Sequence, residues 1–297
     1  MSRPTSRSVL GPLRNDPASC SARSSAEPLP GTAPHTKGWL VLEHPGPYGR
    51  AAADALGPGA TPLREAVREA GITLLLARKP TRSQTGRRAW FAHAGRMITW
   101  DDIDPCDLID VDWRHAVAES SMPSASRHGG PILFVCTNGK RDACCVRLGR
   151  PVVDALIHAG LPAWECSHIG GHRLAPTAVL LPLGSVHGRL DPSTAGELLE
   201  AAGSGRTHLP TLRGLSHLAP DAQVADIAVR RHAAIADDVL LDVATPGDER
   251  ARTCAVTHPD GRAWSVALRR MVGTPRPESC GKDAVVPEWW SAESVSP

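Results

Sequence analysis

The fold is decided by residues 131–190, which read PILFVCTNGKRDACCVRLGRPVVDALIHAGLPAWECSHIGGHRLAPTAVLLPLGSVHGRL. The apolar run 131–135 has the length and composition of an interior strand of a parallel sheet. A helix is predicted between Pro151 and Gly160, because proline suits the first turn of a helix and glycine its end. Further strands are predicted at 163–166, 177–181 and 185–190, and then a helix to about 202. The segment therefore predicts a strand–helix–strand unit followed by a hairpin and a helix.

This succession is typical of an α/β protein with a thioredoxin-like core, which we place at about 128–205. The tripeptide Ala175-Pro-Thr177, followed by an apolar strand, is similar to the cis-proline segment of thioredoxin. Pro176 is therefore the candidate for a cis peptide bond. Residues 37–110 repeat the same succession of strands and helix, which predicts a degenerate copy of the core.

Composition divides the rest of the chain into regions. Residues 1–35 are rich in Ser, Arg, Pro and Gly, which predicts a disordered arm. An N-terminal α/β domain is predicted at 36–120, and the turn residues of 121–130 mark the boundary after it. Residues 206–297 are predicted to form a C-terminal α+β extension with a helix at 224–235, a strand at 239–243 and a hairpin turn at 259–261.

Charge and hydrophobicity exclude several classes of partner. With 33 basic and 31 acidic residues the formal net charge is +2, so no strong field favours a nucleic acid or an anionic membrane. No apolar run reaches the roughly 18 to 20 residues that span a bilayer, and the first 22 residues lack the apolar stretch of a signal peptide. We therefore expect a cytoplasmic protein.

Cysteine usage points to metal binding or redox chemistry. Eight cysteines, unevenly spaced and including an adjacent pair, do not resemble a secreted disulfide framework. No C-x-x-C motif is present, and the common nucleotide-binding and hydrolase signatures are missing.

Two segments carry the chemistry, 136–145 (CTNGKRDACC) and 166–172 (CSHIGGH). Each follows a predicted parallel strand, and the carboxyl ends of such strands share one edge of a sheet, so the two segments should face each other. The glycines between His168 and His172 let the backbone turn tightly. The predicted ligand set is Cys136, Cys145, His168 and His172.

Ligand type alone leaves the metal open, because two thiolates and two imidazoles suit zinc as well as an iron–sulfur cluster. Eight residues between Cys136 and Cys145 is long for a structural zinc knuckle. Cys144 is the rival of Cys145 for the ligand role. A thiol-based redox protein of thioredoxin type, with Cys144, Cys145 or Cys166 as nucleophile, is the third hypothesis, and the missing C-x-x-C argues against it.

The remaining cysteines have no partner motif in the sequence. We interpret Cys166 as a buried residue at the end of a strand. Four others are interpreted as structural or incidental: Cys20, Cys106, Cys254 and Cys280.

The motifs CTNGKRDACC and ECSHIGGHRLAPTAVLLPLGSVHGRL resemble the sucrase/ferredoxin-like family of thioredoxin-like ferredoxins. Residues 31–33 and 42–47 are also similar to the N-terminal half of that family. The resemblance implies one [2Fe–2S] cluster bound by the four predicted ligands, and hence a non-enzymatic electron carrier that works with an unknown redox partner protein. Two imidazoles in place of thiolates should make the cluster easier to reduce and couple reduction to protonation. The 22 residues between Cys145 and His168 are slightly fewer than the family pattern suggests.

Overall fold

The computed structural model describes residues 17–51, 55–79, 87–118, 126–127, 130–245 and 251–297. A large ten-stranded sheet with helices packed on it makes the chain a mixed α/β protein, as the sequence predicts. The part of the expected arm before residue 17 and most of the expected boundary at 121–130 lie outside the described residues.

Residues 17–35 lie against the rest of the protein, although we expected the arm to be disordered through residue 35. Ser19 caps the short helix α1 (Cys20–Arg23), in which Cys20 is fully buried. Glu27 is also buried and forms an ion pair with Arg173. Contacts with distant side chains order this segment, and such contacts leave no periodic pattern in the sequence.

The first half of the sheet follows the predicted succession. Its elements are β1 (Gly38–Glu43), α2 (Thr61–Glu69), β2 (Ile72–Arg78), β3 (Ala89–His93), β4 (Arg96–Trp100), α3 (Trp113–Ala118) and β5 (Ser126–Arg127). Strands β1 and β2 are parallel and connected through α2, whereas β3 and β4 return as an antiparallel hairpin. The spatial order is β2-β1-β3-β4, and β5 extends the edge.

The second half has the same order of connections. Its elements are β6 (Ile132–Cys136), α4 (Ala143–His158), β7 (Ala163–Cys166), β8 (Ala178–Leu181), β9 (Ser185–His187), α5 (Pro192–Gly203) and β10 (Leu212–Leu215). Strands β6 and β7 are parallel, β8 and β9 are antiparallel, and the spatial order is β7-β6-β8-β9. The peptide bond before Pro176 is cis, which confirms the prediction for that residue.

The two halves form one sheet because β2 pairs antiparallel with β7. Trp90 of the first half packs edge-on against Phe134 and Trp164 of the second, at ring-centroid distances of 5.4 and 4.9 Å. The same buried cluster on this face contains Cys136 and Cys145. The site region is therefore continuous with the core that joins the halves.

Helix α4 begins earlier than we predicted. Asp142, not Pro151, starts the helix, because its carboxylate accepts a hydrogen bond from Cys144 N and caps the first turn. Pro151 lies inside the helix. After the proline, Val152 packs in a buried cluster with residues of β6, β7 and β8, whereas before it Leu148 packs with Cys20 and Ala175. Cys144 and Cys145 consequently lie on a helical turn rather than in a loop.

The C-terminal region contains one long helix and several antiparallel strands. Its elements are α6 (Pro220–His232), β11 (Asp242–Ala244), β12 (Ala251–Thr257), β13 (Ala263–Val272), β14 (Arg276–Pro277), β15 (Ala284–Val285) and β16 (Glu288–Ser296). Strands β11, β12, β13 and β16 form a second antiparallel sheet, and α6 shares a buried cluster with it. The turn at residues 258–261 joins β12 to β13 where the hairpin was predicted.

Short 3-10 helices complete the described elements at Pro58–Ala60, Pro105–Leu108, His172–Leu174 and Leu209–Thr211. Among the described residues, no helix has the length and apolar character needed to cross a bilayer.

A buried histidine should make the fold sensitive to acid. His187 on β9 is 1% exposed, and its ring nitrogens lie 3.0 Å from the hydroxyls of Thr211 and Ser185. Burial, with the nearby charges of His208 and Arg213, lowers the pKa of His187 to about 3. In the unfolded chain the pKa of histidine is about 6.5. As the pH falls below 6.5 the unfolded state takes up a proton that the folded state rejects, so stability decreases, by about 2 kcal/mol at pH 5 from this residue.

We expect His187→Gln to reduce the slope of unfolding free energy against pH between 6.5 and 5, measured by urea titration. The matched control is His158→Gln, which replaces an exposed histidine at the end of α4. A wild-type slope in the His187 variant, or an equal loss of slope in both variants, would contradict the assignment.

Candidate metal centre

The carboxyl ends of β6 and β7 bring the two predicted segments together. Cys136 is the last residue of β6, and it is paired in register with Cys166, the last residue of β7. Both thiols are fully buried. His168 follows β7 by two residues, so the histidine loop begins beside the strand that supplies the first cysteine.

Cys145 reaches the same place from the first turn of α4. It is 1% exposed, and together with Cys136 and His168 it forms a group whose possible ligand atoms lie within 4.8 Å of one another. His168 Nδ1 is 3.8 Å from the Sγ atoms of both Cys136 and Cys145. Two thiols and one imidazole therefore converge without any change of backbone.

His172 lies on the far side of His168 from the thiols. Its Nδ1 is 3.4 Å from His168 Nε2, and the two rings are 5.2 Å apart at a tilt of 32°. Its Nε2 is buried and has no hydrogen-bond partner among the described residues. A buried polar atom without a partner is costly, and a metal ligand role would satisfy it.

Arg213 of β10 stabilises the loop between His168 and His172 through a hydrogen bond to its backbone. The buried guanidinium donates from Nη1 to Gly170 O at 3.1 Å and also bonds the carbonyl of Thr32. Gly171 has a φ of +70°, and a Cβ there would lie 2.4 Å from Arg213 Nη2. Glycine is required at this position by both conformation and space, as the tight turn predicted from the sequence implies. Arg213 was missed because it lies 43 positions from Gly170.

The two thiols of the candidate centre have pKa values shifted in opposite directions. A hydrogen bond from Cys145 holds the pKa of Cys136 well below its usual range, and His168 adds to that effect. The same bond, together with burial, raises the pKa of Cys145.

Burial lowers the pKa of Arg213 to about 9, with the charge of Arg173 acting in the same direction.

Cys144, the rival of Cys145, points away from this centre. Its Sγ lies 3.5 Å from Cys20 Sγ and 3.4 Å from Cys280 Sγ. The hydrogen bond from Cys20 lowers the pKa of Cys144 to about 6. Cys20 and Cys280, which we interpreted as lacking a partner, therefore meet Cys144, whereas Cys106 is exposed and belongs to no such group of described residues.

The predicted donors fit an iron–sulfur cluster in type, and the grouping of possible ligand atoms within 4.8 Å contains Cys136, Cys145 and His168 but not His172. The two buried thiols lie at one end of the site and the two half-buried imidazoles at the other. Soft thiolates and imidazoles are the donors found on [2Fe–2S] clusters with mixed ligation.

Comparison with known proteins identifies one family. A family model described as sucrase/ferredoxin-like matches residues 29–214, which is more than half of the chain and includes all four predicted ligands. No curated protein and no solved structure matches the chain.

Proposed function

We propose that this chain, which belongs to the sucrase/ferredoxin-like family, binds one [2Fe–2S] cluster and works as an electron-transfer protein. The proposed ligands are Cys136, Cys145, His168 and His172. The observation that carries the proposal is the convergence of two buried thiols and His168 at one sheet edge. His172 lies against the far nitrogen of His168, and its Nε2 has no partner among the described residues.

A thioredoxin-like fold for the cluster-binding half belongs to the same proposal. In support, β6 and β7 are parallel and connected through α4, the hairpin β8–β9 follows, and the sheet order is β7-β6-β8-β9. The half built from β1 to β4 has the matching order β2-β1-β3-β4. We therefore propose that residues 36–120 are a degenerate copy of the domain at 128–205.

Such a cluster supplies one-electron redox chemistry, and imidazole ligands raise its potential relative to all-cysteine ligation. The chain's own residues give the site two different ends. Burial of Cys136 and Cys145 keeps water from the thiol end. His168 and His172 are half-buried, so the histidine end is the closer to solvent and the side from which electrons would enter and leave.

The proposed partner and compartment rest on exposed basic residues near the site and on the free cysteines. Lys140 and Arg141 are exposed in the segment between the two cysteines. We propose that they attract an acidic redox partner protein to this side of the molecule. All eight cysteines are free thiols, which supports a reducing compartment such as the cytoplasm.

The proposal is tested by anaerobic purification, followed by the visible spectrum and iron, sulfide and zinc analysis. We expect a red-brown protein with about two irons and two sulfides per chain. His168→Cys should keep the cluster but shift its spectrum, because a thiolate replaces an imidazole. Cys145→Ser should lose most of the iron. The matched control is Cys144→Ser, which should retain it, because the neighbouring thiol points away from His168.

A protein that holds no iron after anaerobic reconstitution with iron and sulfide would overturn the electron-carrier proposal. If the wild type holds no iron and Cys145→Ser contains one equivalent of zinc less than the wild type, the centre is a mononuclear zinc site instead. The 4.8 Å grouping of Cys136, Cys145 and His168 would accommodate that ion.

A further inference from the structure

Three thiols from separate parts of the chain meet beside helix α4. Cys20 is the first residue of α1, Cys144 lies on the first turn of α4, and Cys280 lies between β14 and β15. Their Sγ atoms form a nearly equilateral triangle with sides of 3.5, 3.4 and 3.5 Å. The carboxylate of Asp142 completes the group, with Oδ1 3.7 Å from Cys20 Sγ.

The group is enclosed and held in place by hydrogen bonds. Cys20, Cys144 and Asp142 are at most 4% exposed, and Cys280 is half-buried. Asp142 accepts from Cys144 N through Oδ1, and from Ser279 Oγ and Cys280 N through Oδ2, each at 2.8 Å. One buried carboxylate thus fixes both the helix turn and the C-terminal segment that supply thiols.

The sulfur separations match a shared metal ion better than a disulfide. A disulfide brings two sulfurs to about 2.05 Å and leaves a third thiol without a partner. Three thiolates bound at about 2.3 Å to one tetrahedral ion have sulfurs about 3.8 Å apart. The observed 3.4–3.5 Å is close to that value, and a single ion engages all three sulfurs at once.

The geometry points to a second metal site, and we propose that Cys20, Cys144 and Cys280 bind one Zn²⁺ with Asp142 Oδ1 as the fourth ligand. Closed four-ligand sites rich in cysteine are typical of structural zinc, and a carboxylate oxygen is also a zinc ligand in proteins. Binding displaces to solvent whatever protons the three cysteines still carry and changes no oxidation state.

This site is separate from the proposed cluster and does not depend on it. Cys20 and Cys280 both lie outside the residues matched by the family model. The two centres adjoin at the first turn of α4, where Cys144 faces one and Cys145 the other, and at the 3-10 helix His172–Leu174, against which α1 packs. The zinc ion would fasten the N-terminal and C-terminal segments to the turn that presents Cys145.

The first test compares the full-length chain with Cys20→Ser and Cys280→Ser, all purified under reducing conditions, supplied with ZnSO₄ and desalted. We expect about one zinc per chain at this site in the wild type and about a tenfold loss in each variant, with iron content unchanged. The matched control is Cys106→Ser, which removes an exposed cysteine and should leave the zinc content at the wild-type value.

A second test removes the cluster and does not require a folded Cys20 or Cys280 variant. In Cys136→Ser/Cys145→Ser, Co²⁺ titration should give thiolate-to-metal absorption that saturates at about one equivalent. Adding excess Zn²⁺ should abolish that absorption.

The zinc proposal is overturned if the reduced wild type binds no more zinc than Cys20→Ser does. It is also overturned if the double variant gives no Co²⁺–thiolate absorption. A wild type in which two of the three cysteines form a disulfide, and which binds no zinc after reduction, would also overturn it. Failure of the cluster proposal would give a different result, namely a protein that holds no iron but still binds zinc at Cys20, Cys144 and Cys280.

Discussion

Replacing Glu27 by glutamine is expected to lower the free energy of unfolding by about 3 kcal/mol, because it removes a buried carboxylate and leaves two partly buried guanidinium groups without their opposing charge. The Glu27 carboxylate is 3% exposed and accepts from Arg173 Nε at 2.8 Å and from Nη2 at 2.7 Å. Arg276 forms a second ion pair with it at 2.7 Å. The two arginine side chains are 21% and 12% exposed, so water cannot replace the lost carboxylate fully.

Acid should weaken the same network. Burial alone would raise the pKa of Glu27, but the hydrogen bonds and charges of Arg173 and Arg276 outweigh it and hold the pKa below its ordinary value. A carboxyl group with a lowered pKa in the folded state stabilises the protein above its unfolded pKa of about 4.3, and this stabilisation is lost as the pH falls. Glu27→Gln should remove that part of the acid sensitivity.

The measurement is urea unfolding followed by tryptophan fluorescence, at neutral pH and at low salt. Glu69→Gln is the matched control, because it breaks the ion pair with Arg114 in which the side chains are 50% and 73% exposed. We expect a loss below about 1 kcal/mol for that exposed pair. Similar losses in the two variants would show that burial does not set the strength of the Glu27 network.

The meeting of the two segments could be predicted from the sequence because its signals are local. The apolar run that forms β6 ends at Cys136, and the glycines between His168 and His172 are adjacent in the chain. Rules for parallel sheets then place the two strand ends at one edge, where β6 and β7 do pair in register.

The second group of thiols could not be predicted, because its members are far apart in the chain. Cys20 is 124 positions and Cys280 is 136 positions from Cys144, and each lies in a segment without periodic apolar residues. The helix start was wrong for a related reason. Asp142 resembles any loop carboxylate in the sequence, and only its position in the fold makes it a cap, whereas Pro151 gives a strong but misleading local signal.

Gly149→Ala is expected to destabilise the protein by about 3 kcal/mol, although alanine normally stabilises a helix interior. Gly149 lies in the middle of α4, where a Cβ would stand 2.3 Å from the carbonyl oxygen of Cys136 and 3.6 Å from Thr137 Cγ2. The obstacle is backbone at the end of an interior strand, which cannot move aside as a flexible side chain could. Relief requires α4 to move away from β6.

Gly196→Ala is the matched control, because that glycine lies in the interior of α5, where an added Cβ would have no described neighbour within 4 Å. There we expect a gain of about 0.5–1 kcal/mol from helix propensity alone. Changes of opposite sign in the free energy of unfolding, measured with urea, would separate the effect of the close contact between α4 and β6 from the effect of helix propensity. A neutral or stabilising Gly149→Ala would contradict the prediction. The same approach of α4 to β6 sets the distance between Cys145 and Cys136, so the Gly149 variant should also bind a metal at the proposed centre less tightly under conditions where it remains folded.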